Sequence, residues 1–156
     1  MEMADIEIRL RGFMESDLVL AKEWYKDPAV LMGVISPDQK DPLPIKYLSD
    51  MYNDLSSRGE LYAIEVNKSG EWFPIGEVTL ASNTLPIVIG DANYRGKGIG
   101  KKVIQLLISQ AREKGWEKIT LKGIYKNNIS SQRLFESCGF KKVDETTKCY
   151  IYELVL

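Results

Sequence analysis

The 156-residue chain contains no histidine. That absence removes Ser-His-Asp and Cys-His nucleophilic catalysis, and it leaves a poor ligand set for zinc, so no metal site is expected. Any proton transfer falls to carboxylates, tyrosine, cysteine, lysine or water. Cysteine is scarce: Cys138 and Cys149 are far apart, form no CxxC, and read as reduced thiols of a cytoplasmic protein. No apolar run approaches the length that spans a bilayer, and the N-terminus alternates charged and apolar residues, unlike a signal peptide. A membrane partner is therefore not expected. Repeats and low-complexity segments are lacking as well. What remains is 44% apolar and 28% charged, as in a soluble globular protein. Residues 1–156 fit a single domain, large enough for a real core and too short for two ordinary ones.

Charge is nearly balanced overall, at −1, but unevenly spread. Residues 1–91 carry 8 Lys/Arg against 16 Asp/Glu, whereas residues 92–156 carry 13 against 6. Two readings fit: scatter over a solvated surface, or one half that meets an anionic cofactor and another that meets a cationic substrate.

The apolar pattern predicts a strand over Ile6–Arg11 and a helix from Asp17 to about Lys26, capped by Ser16 and stopped by Asp27-Pro28. The segment Ser36–Pro44, with three prolines, reads as a loop, and Ile45–Ser57 as a second helix. Leu61–Asn67 and Ile75–Leu80 form a hairpin about Asn67–Gly70, and Ile87–Ile89 is a short strand after Pro86. A helix follows from about Gly98 to Lys114, with Ile99, Val103, Leu106, Leu107 and Ala111 on one face and Gly115 at its end. Then come a strand (Ile119–Ile124), a short helix (Ser130–Cys138) and two strands within Lys141–Val155, turning near Thr146-Thr147. The order β-α-α-β-β-β-α-β-α-β-β implies an α/β fold with helices on both faces of one mixed sheet.

The most informative segment is Arg95-Gly96-Lys97-Gly98-Ile99-Gly100-Lys101-Lys102, three glycines and four cations at a helix start. No acidic residue occurs between Ala92 and Ala111. Cations at a helix N-terminus oppose the macrodipole, at about 0.3–1 kcal/mol each when unpaired. The clustering makes sense if an anion arrives: glycines let the backbone curl closely, and first-turn N–H groups converge on one phosphate. Neither common nucleotide template fits. A P-loop needs Ser or Thr where Lys102 stands, and a Rossmann fingerprint needs glycine where Lys101 stands.

Arg95-x-x-Gly98-x-Gly100 resembles the signature of the GNAT family of N-acetyltransferases. The turn Asp91-Ala92-Asn93-Tyr94 before it, and Asn128–Phe140 with its amphipathic helix and closing Gly-Phe, resemble two further family features. The opening Ile8-Arg9-Leu10-Arg11, with Asp17-Leu18, Trp24 and Asp27-Pro28, is similar to the branch of ribosomal-protein N-terminal acetyltransferases. The resemblance covers nearly the whole chain, most weakly Val30–Ser57. It implies a mostly antiparallel central sheet of about seven strands flanked by four helices, with acetyl-CoA as co-substrate.

By this resemblance, backbone N–H groups of Arg95, Gly96, Lys97, Gly98, Ile99, Gly100 and Lys101 take the CoA pyrophosphate. Val88, Ile89 and Gly90 lie along the pantetheine arm, with the N–H of Ile89 or Gly90 polarising the thioester carbonyl. Asn128 holds the pantetheine or the 3′-phosphate side, and as a helix N-cap it has a structural role beside that. A primary amine attacks directly in a ternary complex, without a covalent enzyme intermediate. The acidic first part suggests a cationic acceptor: a polyamine, an aminoglycoside-like compound, or a peptide amine. A monomer or a homodimer is expected, and no nucleic-acid partner, since the basic half shows no recognition motif.

Two positions depart from the family. Phe135 stands where relatives often have a tyrosine acid, so Tyr125, Ser131 or Cys138 would substitute, or the thiolate leaves unaided. Pro86 lies near a strand position where many relatives carry a glutamate base. Glu77, flanked by apolar residues in Ile75-Gly76-Glu77-Val78, is the first carboxylate to consider and Asp91 the second, with a water relay if Glu77 faces solvent. These departures leave open a non-catalytic CoA-binding regulatory module.

Overall fold

The computed structural model describes residues 6–156; the opening residues, on which part of the leaderless reading rests, lie outside them. The chain forms two compact units. One holds the residues up to Thr79 together with Pro86–Ile99, and the other Leu80–Leu85 together with Gly100–Leu156.

The first unit contains β1 (Ile8–Gly12), α1 (Leu18–Trp24), α2 (Pro28–Val34), α3 (Ile45–Arg58), β2 (Glu60–Lys68), β3 (Glu71–Leu80) and β4 (Ile87–Ile89). Its sheet runs β1-β2-β3-β4. β1 pairs antiparallel with β2 from Ile8↔Val66 to Gly12↔Tyr62. β3 pairs antiparallel with β4 through Gly76↔Ile89, Glu77↔Val88 and Val78↔Ile87. The β2–β3 turn sets Ser69 and Gly70 at φ 56 and 87, two successive positive values that suit a tight hairpin. Asn67 Oδ1 braces it by accepting the Gly70 N–H at 3.0 Å.

α1 ends at Trp24, before Asp27-Pro28 as expected, and the same pair also starts a second helix. Asp27 Oδ1 accepts the Ala29 N–H at 3.0 Å, and Pro28 takes the first helical position, where a missing N–H costs nothing. The added helix, α2, makes five α-helices among the described residues where four were expected. Ala21, Trp24 and Tyr25 at α1, Val30 and Leu31 of α2, Leu48 and Tyr52 of α3, and Val88 of β4 form one buried apolar cluster.

β1 is tied to α1's approach by ions. Arg11 grips Asp17 with two bonds of 2.8 Å and gives its Nε to Glu65 at 3.0 Å. Burial pushes the Asp17 carboxyl up, but the Arg11 fork and the Met14 N–H outweigh it, leaving the group below its ordinary range.

The second unit holds the length of α4 (Ile99–Glu113) beyond its first residue, then β5 (Lys118–Tyr125), α5 (Ile129–Ser137), β6 (Lys141–Glu145) and β7 (Cys149–Val155). Its sheet has the order β5-β7-β6, with both pairings antiparallel. On α4 the buried stripe is Ile99, Val103, Leu107 and Ala111, widened by Ile104 and Ile108. Leu106, expected inside, is exposed, because its azimuth lies on the other flank of that stripe. Gly139, at φ 98, ends α5: its N–H reaches Glu136 O and the Phe140 N–H reaches Phe135 O, both at 3.1 Å. Phe140 then meets the Phe135 ring edge-on, at 5.3 Å between centroids. This accounts for the closing Gly-Phe.

Seven strands are present among the described residues, as expected, but they form sheets of four and three and not one of seven. β4 is three residues long, and the Ile89 carbonyl accepts from the Arg95 Nε at 2.8 Å.

Candidate active site

β4 presents an open backbone edge. The Thr79 N–H donates to Pro86 O at 3.0 Å, so the pair 79/86 is hydrogen-bonded, and alternation makes 77/88 the next such pair. Ile87 and Ile89 therefore turn their N–H and C=O groups away from β3. β4 is terminal in its sheet, so those groups face the outer edge. Two glycines allow the surroundings to close in. A Cβ at Gly76 would stand 2.0 Å from Val88 O, and one at Gly90 would stand 2.1 Å from the Trp24 Cγ. Trp24 thus lies directly against the backbone where β4 ends.

After β4 the chain turns on Asp91. Its N–H reaches Ile75 O at 3.0 Å, and its Oδ1 accepts the Asn93 N–H at 3.0 Å, capping the short turn Ala92–Tyr94. The second carboxylate considered from sequence is thus engaged in turn chemistry. Arg95 is extended, and its side chain folds back to hold Ile89 O, Gly90 O and Asp27 at 2.8, 3.1 and 2.9 Å. Gly96 and Gly98 then take φ 71 and 79, a region closed to most side chains, with no heavy atom within 4 Å of where a Cβ would stand. Lys97 and Lys101 are exposed. α4 begins at Ile99 with no acid in its first turn, and that turn's N–H groups have no partner within the helix. Open space, left-handed glycines, helix-start donors and exposed cations fit a phosphate-bearing ligand.

Glu77 lies in β3 opposite Val88 and is only 4% exposed. Its Oε1 accepts the Tyr25 hydroxyl at 2.8 Å. Its Oε2 and the hydroxyl of Tyr52 are both buried without a hydrogen-bond partner. Tyr52 is near enough to bear on the carboxylate but makes no well-formed bond to it. Burial pushes the Glu77 carboxyl up to about 7, against the opposing influence of Tyr52 and Tyr25. Burial and the adjoining carboxylate also raise both tyrosines above their ordinary range, so the hydroxyls stay protonated. Glu77 does not face solvent, the condition attached to a water relay.

In the second unit Asn128 caps α5, its Oδ1 accepting the Ser131 N–H at 3.2 Å. Tyr125 ends β5 with its ring half-buried, and its carbonyl accepts from the Asn128 N–H and from Gln132 Nε2. Phe135 is buried against Phe140, a core position. Cys138 is half-buried at the C-cap of α5.

Sequence reasoning missed Tyr25 and Tyr52 as partners of Glu77. It also missed the Asp27–Arg95 pair. The tyrosines sit on inward helical faces, as their spacing from Ala21 and Leu48 indicates, but nothing in the chain marks which strand residue they meet. Asp27 before Pro28 is a legible cap and Arg95 a legible motif residue; their pairing, 68 positions apart, has no local signal.

An α/β chain with a glycine loop at a helix start fits a protein that binds a phosphate-bearing ligand, and comparison with known proteins identifies its family. Residues 7–141 match the model of the acetyltransferase (GNAT) domain, so the chain belongs to the GNAT acetyltransferase family. An uncharacterized protein of Methanocaldococcus jannaschii is 28% identical over 97% of this chain and 32% of its own length. A probable spermine N(1)-acetyltransferase of Bacillus subtilis subsp. natto is 39% identical over 33% of this chain and 34% of its own length. The matches thus cover about a third of the length of each of these curated relatives. Among solved structures, a domain from Methanocaldococcus jannaschii matches with a TM-score of 0.82 at 28% identity, over 97% of this chain and all of that one. An aminoglycoside acetyltransferase in complex with coenzyme A shares the fold, with a TM-score of 0.77 at 17% identity, over 96% and 95% of the two chains.

Proposed function

We propose that residues 1–156 act as one N-acetyltransferase domain that moves the acetyl group of acetyl-CoA to a primary amine by direct attack in a ternary complex. The observation that carries this reading is the loop Arg95–Lys101, with its two left-handed glycines in open space at the start of α4, following directly on the outward-facing edge of β4. Bound acetyl-CoA supplies an activated thioester. The N–H groups from Arg95 to Lys101 hold its pyrophosphate, with Lys97 and Lys101 adding charge, and Val88–Gly90 align the pantetheine arm. The N–H of Ile89, turned to the outer edge, donates to the carbonyl oxygen as negative charge gathers there; the Gly90 N–H, opposite the outward Ile89 carbonyl, is turned toward β3 and is set aside as the donor. Asn128 contributes toward the pantetheine or 3′-phosphate side.

Glu77 accepts the proton that the attacking ammonium must lose. A carboxyl held near 7 is matched to that task at neutral pH, and its unpartnered Oε2 is the atom available for it. Tyr125 is the hydroxyl assigned to the departing thiolate; Phe135, buried in the core, has no proton to give. Asp91, spent on its turn, is the weaker alternative to Glu77.

The acceptor is read as cationic. The surplus of carboxylates in residues 1–91 supports this, as do a relative and a solved neighbour named for spermine and aminoglycoside acetylation. No described helix is long and apolar enough to cross a membrane, and both cysteines are free, which agrees with a cytoplasmic site of action.

The test is release of free thiol from acetyl-CoA against polyamines, aminoglycosides, amino acids and short peptides. Turnover on one class establishes the reaction and names the acceptor. Tight CoA binding with no thiol release from any amine would favour a non-catalytic CoA-binding module, the reading that the buried Phe135 keeps in view.

A further inference from the structure

The backbone at the end of β4 is held from two sides, by Trp24 and by Arg95. On one side the Trp24 ring lies so close to Gly90 that no Cβ fits between them. On the other the Arg95 guanidinium grips two consecutive carbonyls, Ile89 O from Nε at 2.8 Å and Gly90 O from Nη2 at 3.1 Å. A peptide group is planar, so fixing the Ile89 carbonyl also fixes the direction of the Gly90 N–H, and fixing the Gly90 carbonyl does the same for the Asp91 N–H. That last group completes the set by reaching Ile75 O at 3.0 Å. Two successive peptide planes at the end of β4 are therefore set by one side chain.

Arg95 is itself oriented by Asp27, whose Oδ2 accepts from Nη1 at 2.9 Å. The guanidinium is a rigid planar fork, so anchoring one nitrogen fixes the directions of the others. Asp27 is committed to this geometry through its second oxygen, which caps α2 at the Ala29 N–H. Arg95 and that N–H hold the Asp27 carboxyl below its ordinary range, so it stays ionised.

We infer that Asp27 is a positioning residue for acetyl transfer. Acting through Arg95, it fixes the Ile89–Gly90 peptide, which directly follows the outward Ile89 N–H that stabilises developing charge, and it ties that peptide to the start of α2. The kinetic side of this inference rests on the acetyltransferase reading; the structural side does not. Asp27→Asn separates bridge from cap, because asparagine caps a helix about as well as aspartate but carries no charge to hold the guanidinium.

The experiment measures three quantities in Asp27→Asn, with Glu23→Gln as a neighbouring control whose exposed ion pair is with Lys26 and includes neither Asp27 nor Arg95. They are amide hydrogen exchange over residues 86–91 in the free protein, the CoA dissociation constant, and kcat. Exchange at Gly90 and Asp91 should quicken roughly tenfold, as a local loosening. CoA affinity should stay within about twofold, while kcat falls roughly tenfold or more, as expected when a reacting group is displaced by a fraction of an ångström. Unchanged exchange overturns the inference whatever the kinetics show. Faster exchange with unchanged kcat overturns the link to catalysis. If exchange quickens but the unaltered protein acetylates nothing, the bridge stands and the acetyltransferase reading falls.

Discussion

Replacing Glu77 by glutamine should make the protein more stable at pH 8, and by an amount that depends on pH. The side chain is 4% exposed in an apolar cluster, and burial raises its carboxyl from 4.5 to about 7. Between those pH values the unfolded chain gives up the Glu77 proton while the native chain keeps it. The native state then binds more protons, so stability falls as pH rises through this window and levels off above about 7. At about 1.4 kcal/mol per pH unit, the loss amounts to about 3 kcal/mol across the window. Glutamine keeps the oxygen that accepts from Tyr25 and has no charge to bury. The assay is urea unfolding of both proteins at several pH values from 4 to 8. The stability difference, Glu77→Gln minus wild type, should grow by about 3 kcal/mol over that range, while contributions from other titrating groups cancel. A difference constant to within about 0.5 kcal/mol would refute the reasoning, because it would mean the carboxyl titrates alike in both states. The same titration governs chemistry. Only the ionised carboxylate accepts a proton, so kcat/KM should climb through about pH 7 and flatten above it, and the variant should lose most of its turnover despite its added stability.

Other consequences are checked more briefly. Gly98→Ala places a methyl in open space but on a left-handed residue, so it should cost about 1–2 kcal/mol of stability by thermal unfolding and weaken CoA binding by calorimetry. Gly90→Ala drives a Cβ into the Trp24 ring and should destabilise by about 1–3 kcal/mol, a loss that Trp24→Leu in the same chain should partly relieve. Arg11→Ala leaves the buried Asp17 without its fork and should cost roughly 2–4 kcal/mol. Because the native Asp17 carboxyl titrates below its ordinary value, wild-type stability from this pair persists above about pH 4 and disappears as pH falls below it, which acid titration of both proteins would show. Phe135→Tyr, which restores the hydroxyl common among relatives, should cost about 1–3 kcal/mol for an unpaired buried O–H and bring no rise in kcat.

How much of this was readable beforehand follows the range of the forces involved. The hairpin at Ser69-Gly70, the helix end at Gly139 and the loop from Gly96 to Gly100 are set by φ preferences and bonds spanning a few residues, so composition and spacing reveal them. The Asp27-Pro28 pair was half read. One helix does stop ahead of it, but the pair also begins another, a role that rests on the Asp27 side chain turning forward to Ala29. The division into two sheets was out of reach for a different reason. Which strands join one ladder depends on residues far apart in the chain, and no local pattern at Ile87–Ile89 marks where the first sheet stops. Glu77 shows the limit most clearly. Its apolar neighbours in β3 predicted burial, and burial alone raises a carboxyl. That it settles near 7, within reach of a catalytic proton transfer, depends on two tyrosines from α1 and α3 that offset part of the burial penalty. Removing the Tyr25 hydroxyl should therefore push the Glu77 titration further upward and move the acid limb of the activity profile with it. A chain read one residue at a time assigns Tyr25 to the core, and it belongs there; its function lies in the one oxygen that the core encloses beside Glu77.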